Sequence, residues 1–479
     1  MRKLVDKYNS FSEPVKASMW FVICSIVQRG ISMITTPVFT RILTTEEYGV
    51  ISVYNSWLSL LTIFATMELA TGVFNKAMIK YEDDRDGYTS STLFLASCIT
   101  LAMFLGYVAG RSFWNDLLDL STTFVIMLFA QIFFTTALQF WNVRRRFEFQ
   151  YRSIIVLTLG ISVIGSILSV VFVLNSSEYR AEMKILGTLI TYIIVCSIVF
   201  VKIFKDGKKI IAPNYWKYAI CYNLPLIPHY LSQQILNESD RIMINKIRSA
   251  QEAALYTVSY QVAMLMNIVT NAVHSSFAPW AYQRIRDREY EKIGEMTIRI
   301  LSVMALVCFF ISLFSPEVIL FLGGKVYYEA IWIVPSVTMS IIFNMLYSLI
   351  GNFAFYFEKT KFVMAGTMIA AVANIVLNAI FIPKFGFIAA GYTTLACYIL
   401  YSVIHYVIMI RICKQNGIVP PFNGKIIWGT ALLSVLLSIV STVLYNYTVI
   451  RYVVAGIVFL ILFMRRKELI KIINFKKED

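Results

Sequence analysis

Charge is scarce in this sequence. Asp, Glu, Lys and Arg supply 15% of its 479 residues, while 58% are hydrophobic. Soluble domains carry roughly a quarter of their residues as charges. The shortage excludes a soluble globular protein and leaves a chain that crosses a membrane many times. Acids are scarcer still, 28 against 43 bases, for a net charge of +15. That excess is no nucleic-acid signal, because the bases fall at the ends of apolar stretches rather than in one patch. Histidine occurs three times, at His229, His274 and His405. The seven cysteines contain no CxxC pair and lie in or beside apolar segments, so they read as small buried hydrophobes, not disulfides or metal ligands. A Walker loop, an HExxH, a DxD placed in a loop and any connection long enough to form an extramembrane domain are all missing. Their absence argues against an enzyme, and no cofactor or metal is expected. Residues 1–16 are polar and the first apolar stretch is long enough to remain in the membrane, so no cleavable signal peptide is expected.

What the sequence does have is apolar length. Fourteen stretches qualify as spans, from 17–36 to 449–464, the last being short. If the N-terminus and alternate connections are taken as one side, 31 of the Lys and Arg residues fall there. The other side holds 10, and Arg29 and Arg299 lie inside spans. By the positive-inside rule both termini are cytoplasmic.

The chain repeats itself. Arg41-Ile-Leu-Thr-Thr-Glu-Glu-Tyr-Gly-Val-Ile-Ser-Val53 returns, at an offset of 205 residues, as Lys246-Ile-Arg-Ser-Ala-Gln-Glu-Ala-Ala-Leu-Tyr-Thr-Val258. The same offset places Gln28-Arg29 on Gln233-Gln234. The offset corresponds to six spans, an even number, so the halves share one orientation and are related by an axis along the membrane normal. The expected architecture is all-α and polytopic. It has a six-helix lobe over 1–204, a second over 205–411, and a further helix pair with a basic cytoplasmic tail over 412–479.

Several spans carry polar residues at helical spacing. Span 1 has Ser25, Arg29, Ser32 and Thr36, and span 2 has Asn55, Ser59, Thr62 and Thr66. Span 4 has Gln131, Thr135, Gln139 and Asn142, and span 7 has His229, Gln233 and Asn237. Span 8 has Tyr256, Tyr260, Asn267, Asn271 and His274, and span 10 has Asn344, Ser348 and Asn352. Interhelical hydrogen bonds explain any single stripe, at about 0.6–2 kcal/mol each. Six stripes on repeat-matched spans read better as the wall of a hydrated cavity.

Arg29 is the base set deepest in a span. Placing a guanidinium near the bilayer centre costs roughly 2.5–3.5 kcal/mol on insertion scales. Either an acid on a neighbouring helix neutralises it and it merely fixes packing, or it faces a wet cavity and an anion. The stripes favour the cavity. Asp240, Arg241 and Lys246 follow the end of span 7, and His229 lies in that span beside Pro225 and Pro228, which predict a bend. Asp240 and Glu68 are the candidate ion-coupling acids, although Glu68 sits near a span end, where it can snorkel. His405 reads as an interior residue.

Three stretches carry a resemblance. They are Arg41 to Gly49, then Ser239-Asp240-Arg241 with Leu255-Tyr256, and then Asn374-Ile-Val-Leu-Asn378 with Ile382-Pro-Lys-Phe-Gly386 and Ala389-Ala-Gly391. In order and spacing they resemble the polysaccharide-biosynthesis flippases, lipid-linked oligosaccharide exporters of the superfamily that includes the multidrug and toxin extruders. The resemblance implies a translocator of O-antigen or capsule repeat units in the bacterial cytoplasmic membrane, with a central cationic cavity open to each side in turn. The implied cargo is an undecaprenyl diphosphate-linked glycan, and the implied partners are membrane lipids, a polysaccharide polymerase and assembly proteins, with no nucleic acid. Guanidinium suits diphosphate oxygens, and amides suit sugar hydroxyls. The expected substrate-binding residues are Gln28, Arg29, His229, Gln233, Arg241, Lys246, Asn267, Asn271 and His274. Two alternatives stand beside this reading: a drug or cation antiporter of the same superfamily, and a membrane polymerase joining the same glycans.

Overall fold

The computed structural model describes residues 13–422 and 424–464. Residues 1–12 and the basic tail from 465 onward lie outside the described residues. The described chain is helical, with no strand among its residues. Its contacts divide into two compact units, meeting in sequence at Ala254 and Leu255.

The first unit contains α1 (Glu13–Ile42), α2 (Thr45–Thr66), α3 (Phe74–Lys80), α4 (Arg85–Ala109), α5 (Arg111–Leu118) and α6 (Thr122–Phe147). It continues with α7 (Tyr151–Leu174), α8 (Arg180–Gly207), α9 (Pro213–Asn223), α10 (Ile227–Ile247) and the first turn of α11 (Ala250–Met264). Its core gathers Phe74, Tyr88, Leu93, Phe140, Ile161 and Val199 from α3, α4, α6, α7 and α8. Small residues set the closest approach: a Cβ on Gly187 of α8 would overlap the backbone of Ser169 on α7. α1 rests on α7, where Trp20 stacks on Tyr151 at 6.4 Å.

The linker after α8 is tied down on the side of the basic connections. Ser90 Oγ donates to Lys209 O at 2.7 Å, and Trp216 Nε1 donates to Ser91 Oγ at 2.9 Å. Asp84 accepts from Tyr215 at 2.6 Å and from Lys209, and that carboxylate holds the Lys209 ammonium above its usual pKa.

The second unit holds the rest of α11, then α12 (Met266–Arg286), α13 (Tyr290–Leu313), α14 (Ser315–Gly323) and α15 (Val334–Tyr356). It ends with α16 (Thr360–Phe385), α17 (Phe387–Gln415), α18 (Gly424–Val443) and α19 (Thr448–Met464). α15 is the central helix, packed by α17, α13, α12 and α18. The C-terminal pair is tied to α13 and α14: Tyr445 donates to Ser312 O at 2.6 Å, and Arg451 pairs with Glu317.

Eleven helices are long and apolar enough to cross a membrane, and the α11–α12 pair, bent by 41°, would be a twelfth. The sequence count of fourteen is not reached on these criteria, for two physical reasons. The expected span 7 is broken into α9, a 3-10 turn over Leu224–Leu226, and an α10 rich in polar residues. The break falls where Pro225 and Pro228 remove backbone donors. The expected span 14 is α19, an apolar helix of 17 residues. All seven cysteines are free, but only five are buried; Cys98 and Cys221 are exposed.

Candidate functional site

Arg29 lies in the middle of α1, half-buried, with Gln28 half-buried beside it. Among the described residues no acid lies within ion-pair reach of Arg29 and no hydrogen bond engages its guanidinium. Among the described residues the buried positions of α1 are Ala17, Cys24, Thr36, Pro37, Phe39 and Thr40. The packing alternative required an acidic neighbour, and this arrangement does not supply one.

α2 and α10 form an antiparallel seam within the first unit. At one end α2 stops in two left-handed residues, Met67 (φ 49°) and Glu68 (φ 50°). Their carbonyls accept from Asn223 Nδ2 at 3.2 and 2.8 Å, so the break before α10 is pinned to the end of α2. Midway, Glu238 Oε2 accepts from Ser56 Oγ of α2 at 2.9 Å and from Arg241 Nη1 at 2.8 Å. Arg241 is buried, whereas the Glu238 side chain keeps 23% of its surface exposed.

At the far end the repeated motif explains itself. Thr44 caps α2, accepting from Glu47 N, while Glu47 accepts from Thr44 N at 2.7 Å. This is a capping box, which satisfies two end donors reciprocally. At its counterpart 205 residues on, Ser249 Oγ accepts from Glu252 N at 3.2 Å. A Cβ on Gly49 would overlap the Ala250 carbonyl, so glycine lets the two helix starts touch. Gln251 Nε2 donates to Glu46 Oε2 at 3.1 Å. These two residues occupy the same position in the two repeats, so equivalent points meet, as residues near a twofold axis do. The motif therefore builds helix ends and their contact.

In the second unit α15 shows which of its residues are accessible. From Val334 to Ala354 every residue is buried except Asn344, Tyr347 and Ser348. These sit at i, i+3 and i+4, one short polar strip on an otherwise enclosed helix. Asn352 of the expected stripe is buried, and its Nδ2 donates back to Ser348 O at 2.9 Å. His405 is buried against Tyr347 and Tyr401, at ring distances of 4.4 and 4.7 Å, as an interior residue should be.

The remaining expected site residues separate into groups. His229 and Gln233 are half-buried on α10, and His229 Nδ1 is buried without a hydrogen-bond partner among the described residues. Asn267 and His274 are half-buried and Asn271 is exposed, all on α12 of the second unit. Lys246 lies in the last turn of α10. It is exposed, and it donates to the carbonyls of Asp116 and Leu117 at 3.3 Å each, where α5 ends. Asn245 beside it donates to Asp119 at 2.6 Å. Asp240 is fully buried in α10. Glu68 is half-buried and accepts from Thr71 Oγ1 at 2.6 Å, a local cap at the end of α2. Sequence reasoning missed Glu238, Ser56 and Asn223. Glu238 left one signal, its i−3 spacing from Arg241; Ser56 and Asn223 left none beyond being polar.

Comparison with known proteins places this geometry. The chain matches the polysaccharide biosynthesis protein family over residues 15–284, more than half its length, and the MatE family over residues 225–380. A curated relative, Lsg locus putative protein 1 of Haemophilus influenzae, is 22% identical over 374 residues, covering 74% of this chain and 88% of its own. Among solved structures, the lipid II flippase MurJ in an inward closed conformation superposes with a TM-score of 0.68. Its identity is 16%, over 94% of this chain and 100% of that one. An inward-facing multidrug resistance transporter of the MATE family superposes at 0.64, with 12% identity, over 84% of this chain and 99% of that one. At such identities the likeness is one of fold.

Proposed function

The chain belongs to the polysaccharide biosynthesis protein family, within the multidrug, oligosaccharidyl-lipid and polysaccharide exporter superfamily, and from that premise we propose that it flips a polyprenyl-diphosphate-linked oligosaccharide repeat unit across the bacterial cytoplasmic membrane. The repeat halves, 1–204 and 205–411, would act as the two lobes of an alternating-access transporter, with both termini cytoplasmic. Arg29 would meet the diphosphate. His229, Gln233 and Arg241, with Asn267, Asn271 and His274, would meet phosphate and sugar oxygens.

The observation that carries this reading is the state of Arg29: a guanidinium at mid-span with no acid to neutralise it among the described residues. Such a cation is costly in a bilayer unless water or an anion attends it. Phosphate is the anion that guanidinium binds best, through paired charge-assisted hydrogen bonds. The polar strip of α15 supports it, since amides and hydroxyls are the ordinary partners of glycan hydroxyls.

The deciding experiment is mass spectrometry of lipid that co-purifies with the detergent-solubilised protein. The expected species is a polyprenyl diphosphate bearing sugars. The match to the MatE family favours one competing reading, a drug or cation antiporter. That reading predicts no such lipid, and raised resistance to cationic dyes on expression.

A further inference from the structure

The tie at the centre of the α2–α10 seam is built like an anion site that is already filled. A hydroxyl from Ser56 and the guanidinium of Arg241 converge on one oxygen, Glu238 Oε2, at 2.9 and 2.8 Å. The cation is sheltered and the anion is not: Arg241 is 7% exposed, while the Glu238 side chain keeps 23% of its surface open. The tie is not repeated in the other half of the sequence. At the repeat offset of 205, Glu238 corresponds to Met33 and Arg241 to Thr36, both uncharged. A device that helix packing required would be expected in both halves. Along the same seam lie Asn223 on the carbonyls of Met67 and Glu68, Gly49 beneath the Ala250 carbonyl, and Gln251 on Glu46.

We propose that Glu238 is an internal stand-in for phosphate, and that an incoming diphosphate displaces it from Arg241 and Ser56 and so frees α2 from α10. The proposal rests on the lipid-diphosphate reading above and adds to it a subsite and a consequence. A diphosphate offers more oxygens and more charge than one carboxylate, and it can engage two guanidinium N–H groups side by side. Ser56 Oγ donates equally well to either anion. No covalent step is involved and no proton need move: the carboxylate turns toward its exposed side and remains charged. Before displacement one oxygen ties α10 to α2; afterwards Glu238 no longer does so, and the seam loses that charged tie. Cargo binding and seam release are thereby one event, which is the differential interaction a ligand needs to shift a conformational equilibrium.

The test uses the full-length protein in lipid nanodiscs. Glu46→Cys at the start of α2 and Gln251→Cys at the start of α11, where the chain leaves α10, are introduced together, with Cys98→Ser and Cys221→Ser removing the exposed thiols, and a short bismaleimide reports how often that end of the seam is closed. The probes are inorganic pyrophosphate and farnesyl diphosphate, with farnesol as the uncharged control; binding is measured separately by calorimetry. Both diphosphates are expected to lower the cross-link yield about fivefold, within the usual range of coupling between a ligand and a conformation, and farnesol to leave it unchanged. Glu238→Gln should bind pyrophosphate roughly tenfold tighter, the equivalent of one charge-assisted hydrogen bond no longer displaced. Ser56→Ala, a small change that keeps the helix, should lower the yield without any ligand. Arg241→Gln should make the yield insensitive to diphosphate. If the diphosphates bind and the yield does not change, or if Glu238→Gln binds no tighter, the stand-in role is wrong while the transport reading survives. If neither diphosphate binds and no lipid diphosphate co-purifies, both fall together.

Discussion

A guanidinium inside a membrane is a costly residue, and its surroundings decide what it is for. Arg29 sits half-buried at mid-span with no acid beside it among the described residues. Arg241 is buried and neutralised by Glu238. The two arginines therefore predict different phenotypes. Arg29→Ala in a strain lacking its own translocator should abolish surface polysaccharide, and Arg29→Lys should restore part of it, because lysine keeps the charge but loses the planar pair of donors. Gel analysis of surface glycan at matched expression reads the result; full activity of Arg29→Ala would remove Arg29 from the site. At this scale the sequence was legible where a charge stood in apolar surroundings, as at Arg29. It was not legible for Glu238, whose partner Ser56 lies 182 residues away. The place of Lys246 was not legible for a similar reason: only the folded chain brings it to the carbonyl end of α5.

Helices here are shaped by their ends. The stretch from Arg41 to Gly49 reads as a family motif, and the structure resolves it into a capping box and one glycine that admits a neighbouring carbonyl. Thr44→Ala should cost about 1 kcal/mol through loss of the cap. Gly49→Ala should cost more, about 1–3 kcal/mol, because the obstructing atoms are backbone and cannot rotate away. Thermal unfolding of the purified protein followed by tryptophan fluorescence should rank wild type above Thr44→Ala and Thr44→Ala above Gly49→Ala; equal midpoints for the last two would show that the close approach is not tight in solution. Proline positions announced the break in span 7, and the structure places a 3-10 turn there over Leu224–Leu226. What the prolines did not announce is that Asn223 fixes the break to the end of α2.

For the whole molecule, the repeat and the distribution of bases make a topological prediction. A cysteine at Arg111, an exposed position on the side poor in bases, should react with an impermeant maleimide on intact spheroplasts. One at Lys359, exposed on the basic side, should react only after permeabilisation. Labelling in the reverse order would invert the orientation and with it the direction assigned to transport. The contact division falls at Ala254, beyond the repeat boundary expected at 204, because α10 packs along α2 inside the first unit. A repeat is a property of the chain, whereas a compact unit is a property of packing, and the two need not share a border.

Amino-acid order alone was enough for the class of the protein, because apolar length, basic loop ends and helical spacing of polar residues are local quantities that water and lipid read in the same way in any fold. It was also enough to single out Arg29, because a charge inside a long apolar run shows in the sequence itself. Which polar residues stay accessible, that α15 leaves only Asn344, Tyr347 and Ser348 half-buried between Val334 and Ala354, and that Glu238 closes on Ser56 and Arg241, were decided by tertiary packing. Those facts depend on which helix faces which, and side-chain spacing within one helix carries no information about its neighbour.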